Sequence, residues 1–485
     1  MIEPAEGGER KYRTLAANTV LLSLGTVGSK LLVFLMVRFY TGYMSPAEYG
    51  TADIISQTAN LLIPLASFGM AESVFRFTAI SPEDGRAAFT AGIVCALAGT
   101  AALAALLLPL RQTEFIGQYG RLLAIYIAAS CLHSMCAQYV RALGDMRVFA
   151  LQGLINTALV IGFNIVMLAA LRLGVTGYVL SVAAADVCCS LWLIFRKRLW
   201  RELTPKLPLP LFRRMLAYGI PLIPTAVFWW ITGVSDRYMI SAFLGSAANG
   251  IYSVSGKIPA MLTVLSTVFI ESWQFSAVTQ AAEDPKELER FYTRIWSLFQ
   301  AGTAICAGAM IALSRVGIRL LAEEEYFSAW QYVPALTLAT ACSALSGFIG
   351  SVYTVTGDSK AAFRTAMAGA ALNIALNLIL IPSPMGVQGA AAATLISCLA
   401  VFAIRAANIR RFIAFELAPL RCGANMLILS AQAVFMTMGF PMRGWAQAAA
   451  AAAIIAVNHT SLIQCAGRLR GYMRPAGKHL KTNRR

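Results

Sequence analysis

Long apolar stretches follow one another along almost the whole sequence, and they constrain the fold more than any other feature. A helix needs roughly 20 mostly apolar residues to cross a bilayer, and the chain contains about 14 stretches of that kind. They lack the strict alternation of polar and apolar residues expected of β-barrel strands. With 58% hydrophobic and only 13% charged residues, the chain is predicted to be an all-α integral membrane protein of about 14 transmembrane helices.

Basic residues are distributed unevenly between the two sides of the predicted spans. Most of the 40 Lys and Arg residues fall in loops on the side of the N-terminus. Because loops rich in Lys and Arg stay in the cytoplasm, the pattern predicts cytoplasmic N- and C-termini. Anionic membrane lipids account for the net charge of +17, so no nucleic-acid partner is expected.

Two sets of matching residues, each recurring six spans later, indicate an internal repeat. Gly50 recurs as Gly250 at an offset of 200 residues, and Asn164 recurs as Asn377. An even number of crossings preserves orientation, so the two halves should be related by a pseudo-two-fold axis along the membrane normal and enclose a central cavity. The predicted divisions are an N-terminal six-helix bundle (1–195), a basic, proline-rich cytoplasmic linker (196–215), a C-terminal six-helix bundle (216–411), and two additional helices with a basic cytoplasmic tail (412–485).

Two lysines stand inside predicted spans, where a charge costs about 3 kcal/mol. Lys30 and Lys257 are placed at nearly the same depth, roughly 22 Å and 20 Å from the cytoplasmic edge. They belong to opposite halves of the repeat. Two ammonium groups that close repel one another unless an anion lies between them, and lysine binds phosphate oxygens as a point charge. Arg38 and Arg237 extend this candidate anion site. The alternative for Lys30 is that its side chain snorkels to the interface.

Carboxylates in the spans leave other interpretations open. Asp186 is a candidate for binding a coupling ion or proton, or for neutralising a lysine. Lys257 could instead pair with Asp53 or Asp186, and Asp236 could form an interfacial ion pair with Arg237. Prolines remove backbone donors and permit kinks. Candidate hinge residues are therefore Pro221, Pro224 and Pro259. Glu271, near the end of the eighth predicted span, is a candidate gate at the inner mouth or a helix-capping residue.

The sequence contains no pattern that predicts catalysis or a cofactor. It has no Ser/His/Asp constellation and no phosphate-binding GxxxxGK[ST] loop. Ten cysteines and three histidines lack metal-ligand spacing. His133, the histidine deep in a span, is interpreted as a packed or hydrogen-bonded residue. The protein is therefore predicted not to be an enzyme and to need no cofactor or metal.

Three runs, in order along the chain, resemble the bacterial polysaccharide biosynthesis proteins. These are oligosaccharide flippases of the multidrug, oligosaccharidyl-lipid and polysaccharide exporter superfamily, related to lipid II flippases. The likeness extends from Asn18 to about Arg411, and the runs are NTVLLSLGTVGSKLLVFLMVRFYTGYMSPAEYGTADII, SDRYMISAFLGSAANGIYSVSGKIPAML and TGDSKAAFRTAMAGAALNIALNLILIP.

The resemblance implies a function in the bacterial plasma membrane. A lipid-linked (undecaprenyl-pyrophosphate) oligosaccharide passes from the inner to the outer leaflet by alternating access, for cell-wall or surface polysaccharide biosynthesis. The driving force is left open between H⁺, Na⁺ and the membrane potential. The resemblance also implies that cavity cations hold the pyrophosphate. They match Lys30, Arg38, Arg237 and Lys257, although related lipid II exporters use mainly arginines.

Other functions are compatible with parts of the sequence. A multidrug and cation antiporter of the same fold would be expected to place carboxylates in the cavity, where Asp53 and Asp186 offer them. A lipid II flippase for peptidoglycan or spore cortex is a further alternative. A membrane glycosyltransferase or saccharide polymerase would need a large outward loop with catalytic acids. The acidic run Glu323 to Glu325 is interpreted as a solvated loop.

Overall fold

The computed structural model describes residues 28, 32, 34–280, 285–356, 359–409, 415–438 and 443–473. All regular secondary structure in these ranges is helical, which confirms the all-α prediction. The helices are α1 (34–43), α2 (Pro46–Ala66), α3 (Met70–Ile80), α4 (Gly85–Leu107), α5 (Glu114–Ala142), α6 (Met146–Asn164), α7 (Gly174–Lys197), α8 (Leu209–Gly219), α9 (Ile223–Leu244), α10 (Ser246–Ser255), α11 (Lys257–Gln280), α12 (Pro285–Ala312), α13 (Ser314–Leu321), α14 (Val333–Thr356), α15 (Ser359–Leu380), α16 (Val387–Asn408), α17 (Pro419–Thr437) and α18 (Arg443–Met473).

Many of these helices have the length and composition of membrane spans. Within the described ranges, 8 helices qualify, or up to 11 if three bent helix pairs are each counted as one span. This confirms an integral membrane protein. The predicted count of about 14 spans is not confirmed within the described ranges.

Local sequence fixes where α2 begins and where it bends. The Ser45 hydroxyl accepts a hydrogen bond from the backbone N–H of Glu48, and the Glu48 carboxylate accepts one from the backbone N–H of Ser45. This capping box satisfies N–H groups that an α-helix start leaves unpaired. The span ends at Ala66, and α3 departs from it at an angle of 50° after Gly69, which has a left-handed backbone.

The first of two compact units contains the described residues of Met1–Ser253 and the segment Leu321–Tyr326. Helix α5 lies at its centre, because α2, α3, α4, α6 and α7 all pack against it. Helix α9 packs against α2 in the same unit. This arrangement places the charged residues of α2, α7 and α9 inside a helix bundle.

The second unit contains Val254–Leu320 and the described residues of Phe327–Arg485. Its core is aromatic: the Trp296 ring packs against Phe348 and Phe415, and its indole N–H donates to the carbonyl of Leu417 at 2.8 Å. Helices α17 and α18 are joined by amide pairs, with Asn425 and Asn458 donating to one another at 3.2 and 2.8 Å. Such interhelical hydrogen bonds stabilise helix pairs in lipid. The boundaries predicted at 195, 215 and 411 stay predictions.

Candidate functional site

The densest group of charges within the helices of the first unit lies where α2, α9 and α10 meet. The Arg237 guanidinium contacts Asp53 Oδ1 at 2.7 Å, and the Ser253 hydroxyl donates to Asp53 Oδ2 at 2.8 Å. Asp236 accepts from the Tyr252 hydroxyl at 2.5 Å and from the backbone N–H of Arg237 at 2.9 Å. We call these five residues the Asp53–Arg237 cluster.

Two carboxylates share one guanidinium in this cluster. The Arg237 side chain is 22% exposed and the Asp53 side chain 10% exposed. Charges this far from water are tolerated only when they are paired and hydrogen-bonded. Arg237 neutralises Asp53 directly, while the second carboxylate, Asp236, is held by a phenol and a backbone amide. The Arg237 guanidinium can therefore exchange one anionic partner for another. The hydrogen-bond donors of the cluster stay engaged when it does so.

Backbone packing brings these side chains together. A Cβ atom on Gly50 would overlap the carbonyl of Ser246, and a Cβ atom on Gly250 would overlap the carbonyl of Pro46. Only glycine allows such close approach of two helices. The Asn249 side chain also donates to the carbonyl of Gly50 at 3.0 Å. The contact is reciprocal, and Pro46 and Ser246, like Gly50 and Gly250, are 200 residues apart.

A cleft of about 590 Å³ lies beside this contact. Hydroxyl, amide and aromatic groups from α2, α5 and α9 line it, among them Thr51, Thr58, Gln118, Tyr119 and Tyr238, and the carboxylate of Glu114 lies at its edge. The Thr58 and Tyr238 hydroxyls are hydrogen-bonded at 2.6 Å. Aromatic and apolar surface combined with a few polar groups is the lining expected of a site for an organic ligand.

Arg38, in the middle of α1, is also engaged with an acidic partner. Its guanidinium contacts Glu323 Oε1 at 2.8 Å and donates to the carbonyl of Ala322 at 2.6 Å. The two charged side chains are 47% and 43% exposed, so water screens the ion pair. The interpretation of the acidic run as a solvated loop is thus only partly right, because Glu323 binds a predicted site residue.

Asp186 lies apart from the Asp53–Arg237 cluster, buried between α5, α6 and α7. It accepts hydrogen bonds from Ser130 and Asn156 and faces His133 at 3.1 Å. The prediction that His133 is a hydrogen-bonded residue is confirmed, since its other ring nitrogen contacts Gln152 at 2.8 Å. Sequence reasoning did not link His133 to Asp186. Both residues were placed within predicted spans, where a carboxylate and an imidazole can hydrogen-bond to one another. That chemical complementarity was the signal for the pair.

The remaining predicted residues occupy helix ends and breaks. Lys257 is the first residue of α11, directly after the break at Gly256, and Pro259 lies two residues further on. Pro221 is in a short 3₁₀ turn, Ile220–Leu222, that interrupts the path from α8 to α9, and Pro224 lies in the first turn of α9. Lys30 and the side chain of Glu271 lie outside the described residues, so their roles stay predictions.

Sequence reasoning missed three partners in the first unit: Tyr252, Ser253 and Glu323. Ser253 could have been found, because it stands 200 residues after Asp53, at the same position of the repeat. Glu323 could have been found from charge alone, since it and Arg38 were both predicted near the outer ends of spans. Tyr252 had no signal in the sequence that distinguishes it from other aromatic residues.

A helical membrane protein with ion pairs buried among its helices has the general architecture of a membrane transporter. The profile of the family described as polysaccharide biosynthesis protein matches residues 36–329, which is more than half of the chain. The chain therefore belongs to the polysaccharide biosynthesis protein family. A search of curated proteins gave no significant match.

Solved structures show the same fold at low sequence identity. The inward closed conformation of the lipid II flippase MurJ superposes with a TM-score of 0.68 at 16% identity, covering 94% of this chain and 100% of that one. An inward-facing multidrug resistance MATE family transporter of the MOP superfamily gives a TM-score of 0.66 at 13% identity, covering 82% and 95%. A variant of the Vibrio cholerae MATE transporter VcmN gives 0.56 at 14% identity, covering 82% and 96%.

Proposed function

We propose that the protein is a flippase that moves an undecaprenyl-pyrophosphate-linked oligosaccharide from the inner to the outer leaflet of the bacterial plasma membrane. The transport serves cell-wall or surface polysaccharide biosynthesis and proceeds by alternating access. Membership of the polysaccharide biosynthesis protein family supports this proposal. The observation that carries it is the Arg237–Asp53 contact at 2.7 Å. In this contact a guanidinium between two helices is paired with a carboxylate that another anion can replace.

Partner exchange gives this contact a place in transport. A carboxylate and a phosphate group present oxygens that a guanidinium binds in the same bidentate way. When α2 separates from α9, Arg237 loses Asp53, and a diphosphate oxygen replaces the carboxylate oxygen. The exchange keeps the guanidinium neutralised in both states. Arg38, which binds Glu323, can change partner in the same way.

The two lysines complete the proposed diphosphate site. Lys257 is the first residue of α11, and the helix dipole favours an anion at the start of a helix. Its ammonium group adds a point charge at that helix start. Lys30 keeps its predicted role as the cation of the other repeat half. In this proposal both termini are cytoplasmic, and H⁺, Na⁺ or the membrane potential drives the cycle.

A multidrug and cation antiporter is the second candidate function. It is favoured by the presence of two carboxylates, Asp53 and Asp236, beside a single guanidinium. These carboxylates would bind a cationic drug once Arg237 moved away. A lipid II flippase differs from the first proposal only in the saccharide carried, so the choice of lipid-linked substrate tests it.

Full-length protein in proteoliposomes tests the proposal. The probe is a fluorescent undecaprenyl-pyrophosphate-linked saccharide, whose arrival in the opposite leaflet is followed by quenching from outside. We expect Lys257→Gln to abolish transport with the protein still folded and inserted, and the double variant Lys30→Gln, Lys257→Gln to be equally inactive. Lys360→Gln, at an exposed position near the start of α15, is the matched control and should transport normally.

The outcomes separate the candidates. If the Lys30 and Lys257 double variant transports at the normal rate, the diphosphate site is wrong. If the wild type moves cationic dyes but leaves the lipid-linked saccharide in place, the protein is an antiporter. A lipid II analogue transported in preference to other lipid-linked saccharides would assign the protein to peptidoglycan or spore-cortex synthesis.

A further inference from the structure

Asp186 is surrounded by hydrogen-bond donors in the bundle of α5, α6 and α7. It is 6% exposed. Its Oδ1 atom accepts from the Asn156 amide at 2.8 Å and lies 3.1 Å from His133 Nδ1, and its Oδ2 atom accepts from the Ser130 hydroxyl. Placing a carboxylate so deep in a membrane bundle costs about 3 kcal/mol. Packing alone does not require a carboxylate at this position.

The second nitrogen of His133 also faces an oxygen. His133 Nε2 lies 2.8 Å from Gln152 Oε1, and the Cys189 thiol donates to that same oxygen at 3.7 Å. A neutral imidazole has one N–H donor and one acceptor nitrogen. With the Gln152 amide in this orientation both ring nitrogens of His133 face oxygens, and the pair of His133 and Asp186 then holds one proton more than a neutral imidazole and a carboxylate would. The geometry is that of a proton-occupied pair.

Gln152 allows the pair to lose this proton without leaving a polar group unpaired. Rotating its amide by half a turn presents the NH₂ group to His133 Nε2, which then accepts, while Nδ1–H donates to Asp186. The Cys189 sulfur can serve as a weak acceptor for the rotated amide as readily as its thiol donates to the oxygen. Loss of the proton changes the net charge of the pair from zero to −1.

Sodium does not suit the same place. A hard cation needs several oxygen lone pairs directed toward it. In the described structure, the lone pairs of Asp186 are directed toward the N–H and O–H groups of Asn156, Ser130 and His133. A cation bound there would displace those donors and leave them buried without acceptors.

We propose that His133 and Asp186 form a binding site for one exchangeable proton, with Gln152 satisfying both the occupied and the vacant state. In the proposed flippase, exchange of this proton links transport to the proton gradient, and this second clause rests on the proposed function. Other titratable groups around the pair are Tyr126 and Cys136 on α5 and Cys189 on α7. Charged residues on the helices packed against α5 or α7 are Glu48 and Asp53 on α2, Glu72 and Arg76 on α3, Arg86 on α4, and Arg147 on α6.

The protonation state of His133 can be measured directly. Full-length protein in lipid nanodiscs, labelled with ¹⁵N-histidine, contains three histidines, and His133→Gln assigns the His133 ring signals. We expect the His133 ring to pass from doubly to singly protonated as pH is raised. In Asp186→Asn the ring should stay neutral across about pH 5 to 8, because a buried imidazolium then has no counter-ion. Asp145→Asn, which removes the partly exposed carboxylate that pairs with Lys197 in the same unit, should leave the His133 transition unchanged.

Two further measurements keep the inference testable. If Asp186→Asn does not fold, His133→Gln is examined by pH-difference infrared spectroscopy, where Asp186 should give a carboxylic-acid band. Replacing sodium by choline should leave the ¹⁵N signals of the wild type unchanged. A His133 ring that keeps one protonation state at every pH, or one that responds to sodium, overturns the proton site.

Transport is assayed separately. In proteoliposomes with the fluorescent lipid-linked saccharide, a pH gradient should accelerate the wild type and Asp145→Asn, and Asp186→Asn should lose this acceleration. If the wild type moves no saccharide, the proposed function fails while the ¹⁵N measurement still decides the site. If the ring titrates but Asp186→Asn responds to the gradient as the wild type does, the link between site and transport is overturned.

Discussion

Arg237 and Asp53 stabilise one another as an ion pair. Each side chain is largely withdrawn from water, so removing one takes from the other an ionic contact that water does not replace. We expect Asp53→Asn to lower the free energy of unfolding by about 3 kcal/mol, and Asp53→Asn with Arg237→Gln to lose less than the sum of the single variants. Denaturant titration of the purified protein in mixed micelles measures this.

A surface ion pair provides the control for that double-mutant cycle. Arg86 lies 3.5 Å from Glu202, and their side chains are 56% and 34% exposed. Because water screens such a contact, Arg86→Gln should change the free energy of unfolding by less than about 1 kcal/mol. If the losses in the free energy of unfolding caused by Asp53→Asn and Arg237→Gln are additive, the two side chains do not act as a pair.

Asp145 gives stability a defined pH dependence. Its carboxylate accepts hydrogen bonds from the Lys197 ammonium and from the backbone N–H of Val148, and Lys197 holds the pKa of Asp145 below its usual range. The unfolded chain therefore binds a proton at higher pH than the folded protein. The stabilisation is complete above about pH 4 and is lost as pH falls through the folded pKa.

Asp145→Asn should remove this dependence. Asparagine still caps the start of α6 at Val148, but it carries no charge to hold Lys197. We expect the variant to lose less than about 1 kcal/mol at neutral pH, and to lose less stability than the wild type on acidification. Thermal unfolding measured at neutral pH and at about pH 3, below the ordinary pKa of an aspartate, tests this, and equal acid sensitivity in both proteins would contradict the assignment.

At the scale of helices, α2 and α10 depend on two glycines. An added Cβ atom at Gly50 or Gly250 meets the backbone of the other helix, which cannot rotate away as a side chain can. We expect Gly50→Ala and Gly250→Ala each to reduce the free energy of unfolding by about 1 to 3 kcal/mol. The loss should be accompanied by a weaker Asp53–Ser253 contact, because the helices must move apart.

Gly233 on α9 is the matched control. No atom lies within 4 Å of the Cβ that alanine would add there, and alanine favours the helix by about 1 kcal/mol over glycine. Gly233→Ala should therefore leave stability unchanged or raise it. If Gly50→Ala behaves like Gly233→Ala, the close approach of α2 and α10 does not hold the two helices together.

The helices were more predictable from sequence than the residue pairs that contact one another between helices. Long apolar runs predicted an all-helical membrane protein, and the repeat aligned Asp53 with its partner Ser253. The contact of His133 with Asp186 depends on how α5 and α7 are rotated about their axes. In a membrane protein both the lipid-facing and the core-facing sides of a helix are apolar, so apolar periodicity does not report that rotation.

At the scale of the whole chain, the segment Leu321–Tyr326 links distant parts of the sequence. It lies between the main bodies of α13 and α14, yet it belongs to the unit that contains α1 to α10. The Tyr326 hydroxyl donates to the carbonyl of Met44 at 2.8 Å, and the backbone N–H of Glu323 donates to the Thr41 hydroxyl at 3.1 Å. Alternating access that separated this segment from α1 would have to break these contacts.

Cross-linking across Arg38 and Glu323 tests that requirement. The variant Arg38→Cys with Glu323→Cys is treated in proteoliposomes with a bifunctional thiol reagent long enough to replace the ion pair. We expect the treated double variant to stop moving the lipid-linked saccharide and to recover on reduction, because the linked segments cannot part. Each single cysteine variant, treated in the same way, controls for modification of native cysteines and should transport throughout. Undiminished transport by the linked protein would mean that Leu321–Tyr326 travels with α1 during the cycle, so the moving boundary would have to lie elsewhere in the chain.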